Sequence, residues 1–152
     1  MLRDLYQEVI LDHNKNPRNF RAMPDATAHA EGSNPLCGDQ VDVYVKVSAD
    51  GKVEDISFQG SGCAISKSSA SLMTTLLKGK TVDEAEQLFE TFHSVVTSGP
   101  ATELTDEKLE ELGKLGVFAG VRDYPARVKC ASLAWHTVHA ALKHEAKPVT
   151  TE

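Results

Sequence analysis

An α+β domain, a small antiparallel sheet with helices packed on it, is the fold class this sequence predicts. Three observations lead there. Val41, Val43, Val45 and Val47 alternate with Asp42, Tyr44, Lys46 and Ser48, the period-two pattern of a half-buried strand. Asp50-Gly51 then marks a tight turn, where glycine supplies positive φ, and Val53 to Gln59 returns with Ile56 and Phe58 on one face. Apolar residues at helical spacing fill much of the remainder, with no internal repeat, low-complexity tract or linker.

Leu2, Leu5, Tyr6, Val9 and Ile10 predict an amphipathic helix over residues 2–13, ended before Asn16-Pro17 because the residue preceding proline disfavours helix. Residues 14–27 are polar, hold Pro17 and Pro24, and read as loop; a short strand is expected near Thr27 to Glu31. Ile65, Leu72, Met73, Leu76 and Leu77 mark a helix from Ala64 to Leu77, stopped by Gly79. Thr81 caps a further helix, with acids at Asp83 and Glu84, that runs to residue 96. Ser98-Gly99-Pro100 breaks the chain, and a short acidic helix is expected from Thr105 through Leu112. Residues 113–127, with Gly113, Gly116, Gly120 and Pro125, read as irregular. Cys130 is expected to open the last helix, with Leu133, Ala134, Val138 and Leu142 on its buried face. Residues 1–146 form a single domain on this reading, and 147–152 a disordered tail.

The composition, 41% hydrophobic and 25% charged over 152 residues, is that of an ordinary globular chain large enough for a real core. A net charge of −6 argues against non-specific nucleic-acid binding. No apolar run approaches a membrane span, and Met1-Leu2-Arg3-Asp4 with Glu8 and Asp12 leaves no apolar core of a signal peptide. Three cysteines are too few for a disulfide scaffold and cannot all pair within one chain. The expectation is a cytoplasmic protein with free or metal-bound thiols.

Those thiols carry the chemistry. In Asn34-Pro35-Leu36-Cys37-Gly38-Asp39 a thiol and a carboxylate stand two residues apart, with a glycine between them that lets both turn to one point. Cys63 closes Gln59-Gly60-Ser61-Gly62-Cys63, and Cys130 closes Ala126-Arg127-Val128-Lys129-Cys130. Cys37 precedes the first strand of the hairpin and Cys63 follows the second, so antiparallel pairing sets them side by side. Cys63 also falls at a helix start, where N–H groups and the helix dipole stabilise a thiolate. Cys37, Asp39, Cys63 and Cys130 offer four anionic ligands, which suits a tetrahedral soft-metal site.

Blander readings stand beside this one. Free cysteines are commonly small buried hydrophobes, and a lone Asp39 would be an ordinary strand-start aspartate. His13, His136, His139 and His144 lie on helices without a His-Glu-x-x-His pattern. Gly60-Ser61-Gly62 lacks the lysine and spacing of a phosphate loop. Gly62-Cys63-Ala64 as a nucleophile turn would want a histidine base that no pattern selects.

The chain resembles the U-type iron–sulfur cluster assembly proteins, and within them the SufU branch. The likeness runs from Leu5-Tyr6-Gln7-Glu8-Val9-Ile10, His13 and Pro17-Arg18-Asn19, through Asn34 to Asp39 and Phe58 to Ser66, to Pro125-Ala126-Arg127-Val128-Lys129-Cys130-Ala131. In the scaffold branch a histidine precedes the third cysteine; here Lys129 stands there, and an ammonium has no free lone pair to ligate with. Residues 98–116 look like the insertion of the SufU branch. The resemblance implies the U-type fold, and a zinc ion held by Cys37, Asp39, Cys63 and Cys130. It implies sulfur transfer onto Cys37 from a SufS-type, pyridoxal-phosphate-dependent cysteine desulfurase. Partner docking would free Cys37 from the metal, and the sulfur would pass to downstream iron–sulfur assembly proteins. The rival readings are a scaffold that assembles a [2Fe–2S] cluster, with iron rather than zinc on the same ligands, and a zinc-stabilised interaction module.

Overall fold

The computed structural model describes residues 2–35, 37–98, 107, 110, 113–144 and 149–150, the side chains of 2–6, 114, 120, 122 and 123 apart. Helix α1 spans Leu2–Lys15. Strands β1 (Ala28–Asn34), β2 (Asp39–Val47) and β3 (Val53–Ser61) follow. Helices α2 (Ala64–Leu77) and α3 (Val82–Thr97), a 3-10 run (Gly113–Asp123), α4 (Pro125–Leu142) and a two-residue strand β4 (Val149–Thr150) complete the order.

The sheet order is β3-β2-β1-β4. The first three strands are antiparallel, as expected, and β4 adds to β1 in parallel, making the sheet mixed. The valines of β2 face inward: Val41, Val43 and Val45 are buried, and Ile56 and Phe58 of β3 join them. Helices α2 and α4 pack against the sheet, and α3 lies against α4 and the 3-10 run. Trp135 of α4 is fully buried and stacks on Phe92 of α3 at 4.8 Å between ring centroids.

Four expectations are corrected. Strand β1 runs three residues beyond Glu31, to Asn34. Its inward positions are Ala28, Ala30, Gly32 and Asn34, residues of low strand propensity. They are small because α4 presses on them: a Cβ on Gly32 would lie 2.1 Å from Thr137 Oγ1. Residues 113–123 are not irregular. Leu115, Phe118 and Val121 are buried at a spacing of three, which is one face of a 3-10 helix. Helix α4 begins at Pro125, not Cys130, because proline is well placed at a first helical position; Cys130 therefore sits in the second turn. Finally, Val149 and Thr150 of the expected disordered tail pair with Gly32 and Ser33, satisfying part of the β1 edge. Of the helix expected at 105–112, only Glu107 and Glu110 lie within the described residues, and both are helical.

Candidate metal centre

The hairpin register builds the site. Asn34 pairs with Asp39 across β1 and β2, which puts the loop bearing Cys37 at this end of the sheet. The Cys37 amide donates to the Asn34 carbonyl at 3.2 Å, and Gly38 takes φ +70°, a left-handed turn open to glycine. Cys37 is thereby exposed at the loop tip, while Asp39, the first residue of β2, is buried with its chain direction fixed.

One strand over, Gln40 pairs with Ser61, which brings Gly62 and Cys63 beside Asp39. The Cys63 amide donates to Asp39 Oδ1 at 2.9 Å. A Cβ on Gly62 would fall 2.5 Å from that same oxygen, so any larger residue would displace the carboxylate. Cys63 is the N-cap of α2, and its sulfur accepts from the Ser66 amide at 3.4 Å. The expectation of a thiol at that helix start matches the structure.

Cys130 descends from α4 onto this end of the sheet and is buried. Its Sγ lies 3.4 Å from Cys37 Sγ, and all three cysteines are free thiols. One ligand atom each from Cys37, Asp39 and Cys130 lies within 4.8 Å of the others. Cys63, the fourth expected ligand, lies outside that group of three and approaches it through Asp39, its Sγ 3.9 Å from Asp39 Oδ2. Ligands about 2.3 Å from a tetrahedral centre stand about 3.8 Å apart, so these separations fit such an ion. The Asp39 carboxylate divides its work: Oδ1 is held by the Cys63 amide and Oδ2 faces the thiols.

The electrostatics follow from this crowding. Burial, and then contact with Cys37, Asp39 and Cys63, pushes the Cys130 thiol far above its ordinary range. Packing three thiols and a carboxylate together is unfavourable for any further anion, and a bound cation reverses that logic. The set could hold zinc, or another ion that accepts sulfur ligands.

Sequence reasoning gave Asn34 no role. It is fully buried, and its Nδ2 lies 3.7 Å from Cys130 Sγ, positioning the third sulfur. Its inward place in the alternation of β1 was the available signal. His144 lies past the end of α4, in a turn at φ +55°, and not on the helix as expected; the other three helical histidines have partners elsewhere. His13 is buried with Nδ1 2.7 Å from Ser71 Oγ, and His139 Nδ1 lies 2.7 Å from Glu86 Oε2. His136 packs edge-on to Phe89 and His93. Arg127 and Tyr124 are exposed at the start of α4, the guanidinium 4.8 Å from the ring centroid.

A mixed sheet whose one end gathers cysteines and an aspartate from three chain segments defines the class of U-type assembly domains. The chain belongs to the NifU-like N terminal domain family, whose model matches residues 5–131. It is 37% identical over 144 residues to the zinc-dependent sulfurtransferase SufU of Bacillus subtilis, covering 95% of this chain and 93% of that one. It is 38% identical over 147 residues to the iron-sulfur cluster assembly scaffold protein IscU of Streptococcus pyogenes, covering 95% and 87%. Among solved structures it is similar to FiSufU of Fervidobacterium islandicum, a candidate iron-sulfur cluster assembly scaffold for the SUF system. There the TM-score is 0.80 at 33% identity, with 92% of this chain and 98% of that chain covered. No described helix is long and apolar enough to cross a membrane.

Proposed function

We propose that this protein is a zinc-dependent sulfur carrier in iron–sulfur cluster biogenesis, taking sulfur from a cysteine desulfurase onto Cys37 and passing it on. The observation that carries the reading is the asymmetry among the thiols. Cys37 is exposed on a glycine-hinged loop, while Cys63 caps α2 and Cys130 is buried inside α4. A thiol that must meet a partner's cysteine needs the first arrangement, and ligands that stay in place need the second. The likeness to a sulfurtransferase over 95% of the chain supports the same choice.

Cys37, Asp39, Cys63 and Cys130 would hold the zinc. When bound, the ion supplies a Lewis acid that keeps its sulfur ligands as thiolates without redox chemistry of its own. The transfer itself belongs to Cys37. Its thiolate attacks the outer sulfur of the desulfurase persulfide. A new S–S bond forms on Cys37, the desulfurase S–S bond breaks, and the desulfurase cysteine leaves as a thiolate. The persulfide proton is retained on the transferred sulfur or lost to solvent, and nothing is oxidised or reduced overall. Asp39, held by the Cys63 amide, anchors the base of the loop that carries Cys37.

The docking surface of this reading surrounds Cys37 and includes exposed Arg127. It also includes the 98–116 segment, most of which lies outside the described residues. The scaffold reading uses the same four ligands, and relatives such as the Streptococcus pyogenes protein carry that name. Metal analysis and absorption spectra of protein purified without oxygen separate the two. One zinc per chain without visible absorption is expected; iron with sulfide bands would transfer the conclusion to the scaffold.

A further inference from the structure

We propose a second metal site on the outer face of the sheet, formed by His29, Glu31 and Asp42, that takes a divalent ion preferring nitrogen and oxygen ligands. His29 and Glu31 are two apart on β1 and so share the face turned away from the helices. Asp42 of β2 stands directly opposite Glu31. One donor atom from each of the three lies within 4.8 Å of the others.

The arrangement is held in advance. His29 pairs with Tyr44 across the strands, and the two rings stack at 4.5 Å with 3° between their planes. His29 Nε2 is 3.0 Å from Asp42 Oδ1, so the imidazole already points its ligand atom into the cluster. Two like charges directly opposite on neighbouring strands destabilise a sheet, and a shared cation removes that cost. A shallow open hollow of about 310 Å³ beside Glu31 and Asp42 leaves room for the water ligands that three protein donors would not replace.

This site is separate from the thiols. The strand register carries Asp39 three pairs along from Asp42, and Asp39 is buried where Glu31 and His29 are exposed. Its donors also differ in kind: one imidazole and two carboxylates suit Mn²⁺, Fe²⁺ or Zn²⁺, with no thiolate to select a softer ion.

Mn²⁺ is the probe of choice. It ranks below zinc in general affinity and does not displace an ion from thiolates. Full-length protein carrying one equivalent of zinc per chain, with any further zinc removed, is titrated with Mn²⁺ while the free-ion electron paramagnetic resonance signal is followed. The expected result is one bound Mn²⁺ per chain with a nitrogen coupling from imidazole. His29→Gln should remove the coupling and weaken binding at least 10-fold, and Asp42→Asn should weaken it at least as much. All these positions are on the surface, and circular dichroism of each variant checks the fold. Absence of bound Mn²⁺ up to millimolar concentration would overturn the proposal. So would Mn²⁺ bound without nitrogen coupling and equally by parent and His29→Gln, which would mean loose attraction to acidic surface. Because the readout compares parent with variant, it stands whatever the thiols hold.

Discussion

Asp39 and Cys63 are joined twice: the Cys63 amide donates to Asp39 Oδ1 at 2.9 Å, and Cys63 Sγ lies 3.9 Å from Asp39 Oδ2. The carboxylate thus ties the start of β2 to the start of α2 and presents its second oxygen to the thiols. Asp39→Ala leaves the Cys63 amide without its partner, at a cost of about 1–3 kcal/mol. Asp39→Asn keeps an acceptor but loses the charge. Thermal unfolding of the metal-free proteins should place Asn near the parent and Ala well below it. Zinc titration should show weakened binding in both.

Gly62→Ala should act through that same carboxylate. The added methyl would stand 2.5 Å from Asp39 Oδ1, so the oxygen must move. Displacing a ligand or its support commonly costs about 10–100-fold in metal affinity. Competition with a chromogenic chelator measures this; unchanged affinity would show that Asp39 does not ligate.

Removing the anchored sulfurs should cost both metal and stability. Cys63→Ser and Cys130→Ser should bind less zinc and unfold at lower temperature than the parent, because ion binding and folding are linked. Chelation of the parent should lower its midpoint toward theirs. A midpoint indifferent to chelator would remove the structural role of the ion.

Acid sensitivity should trace in part to His136. Burial, and then the charges of His93 and His139, hold its imidazole below the ordinary value of 6.5. A base with a depressed folded-state pKa gives stability that is present above the unfolded value and is lost as pH falls from there through the lower folded value. The thermal midpoint should therefore drop as pH is taken from 7 to 5. His136→Gln should flatten that slope relative to the parent.

Legibility in the sequence followed how local each signal was. The β2–β3 hairpin was readable because four valines alternate and Asp50-Gly51 turns the chain, and the cap at Thr81 is present with Glu84 returning the bond. The approach of Cys63 to Asp39 followed from the two ends of that hairpin. Strand β1 was only partly readable, since its inward residues are chosen for contact with α4 and not for strand propensity. The start of α4 was misplaced because glycines and Pro125 resemble a loop, although proline also begins helices. Cys130 was legible as a third thiol, but its approach to Cys37 depends on how α4 crosses the sheet, which no local pattern encodes. Asn34 and Gly62 support the site through such tertiary contacts.

The most direct test of Cys37 as sulfur acceptor is to locate the sulfur. The protein is mixed without oxygen with a cysteine desulfurase and cysteine, quenched by alkylation, and mapped by mass spectrometry. A persulfide on Cys37 is predicted, with Cys37→Ser folded but unable to stimulate the desulfurase. Persulfide on Cys63 or Cys130, or full stimulation by Cys37→Ser, would contradict the transfer.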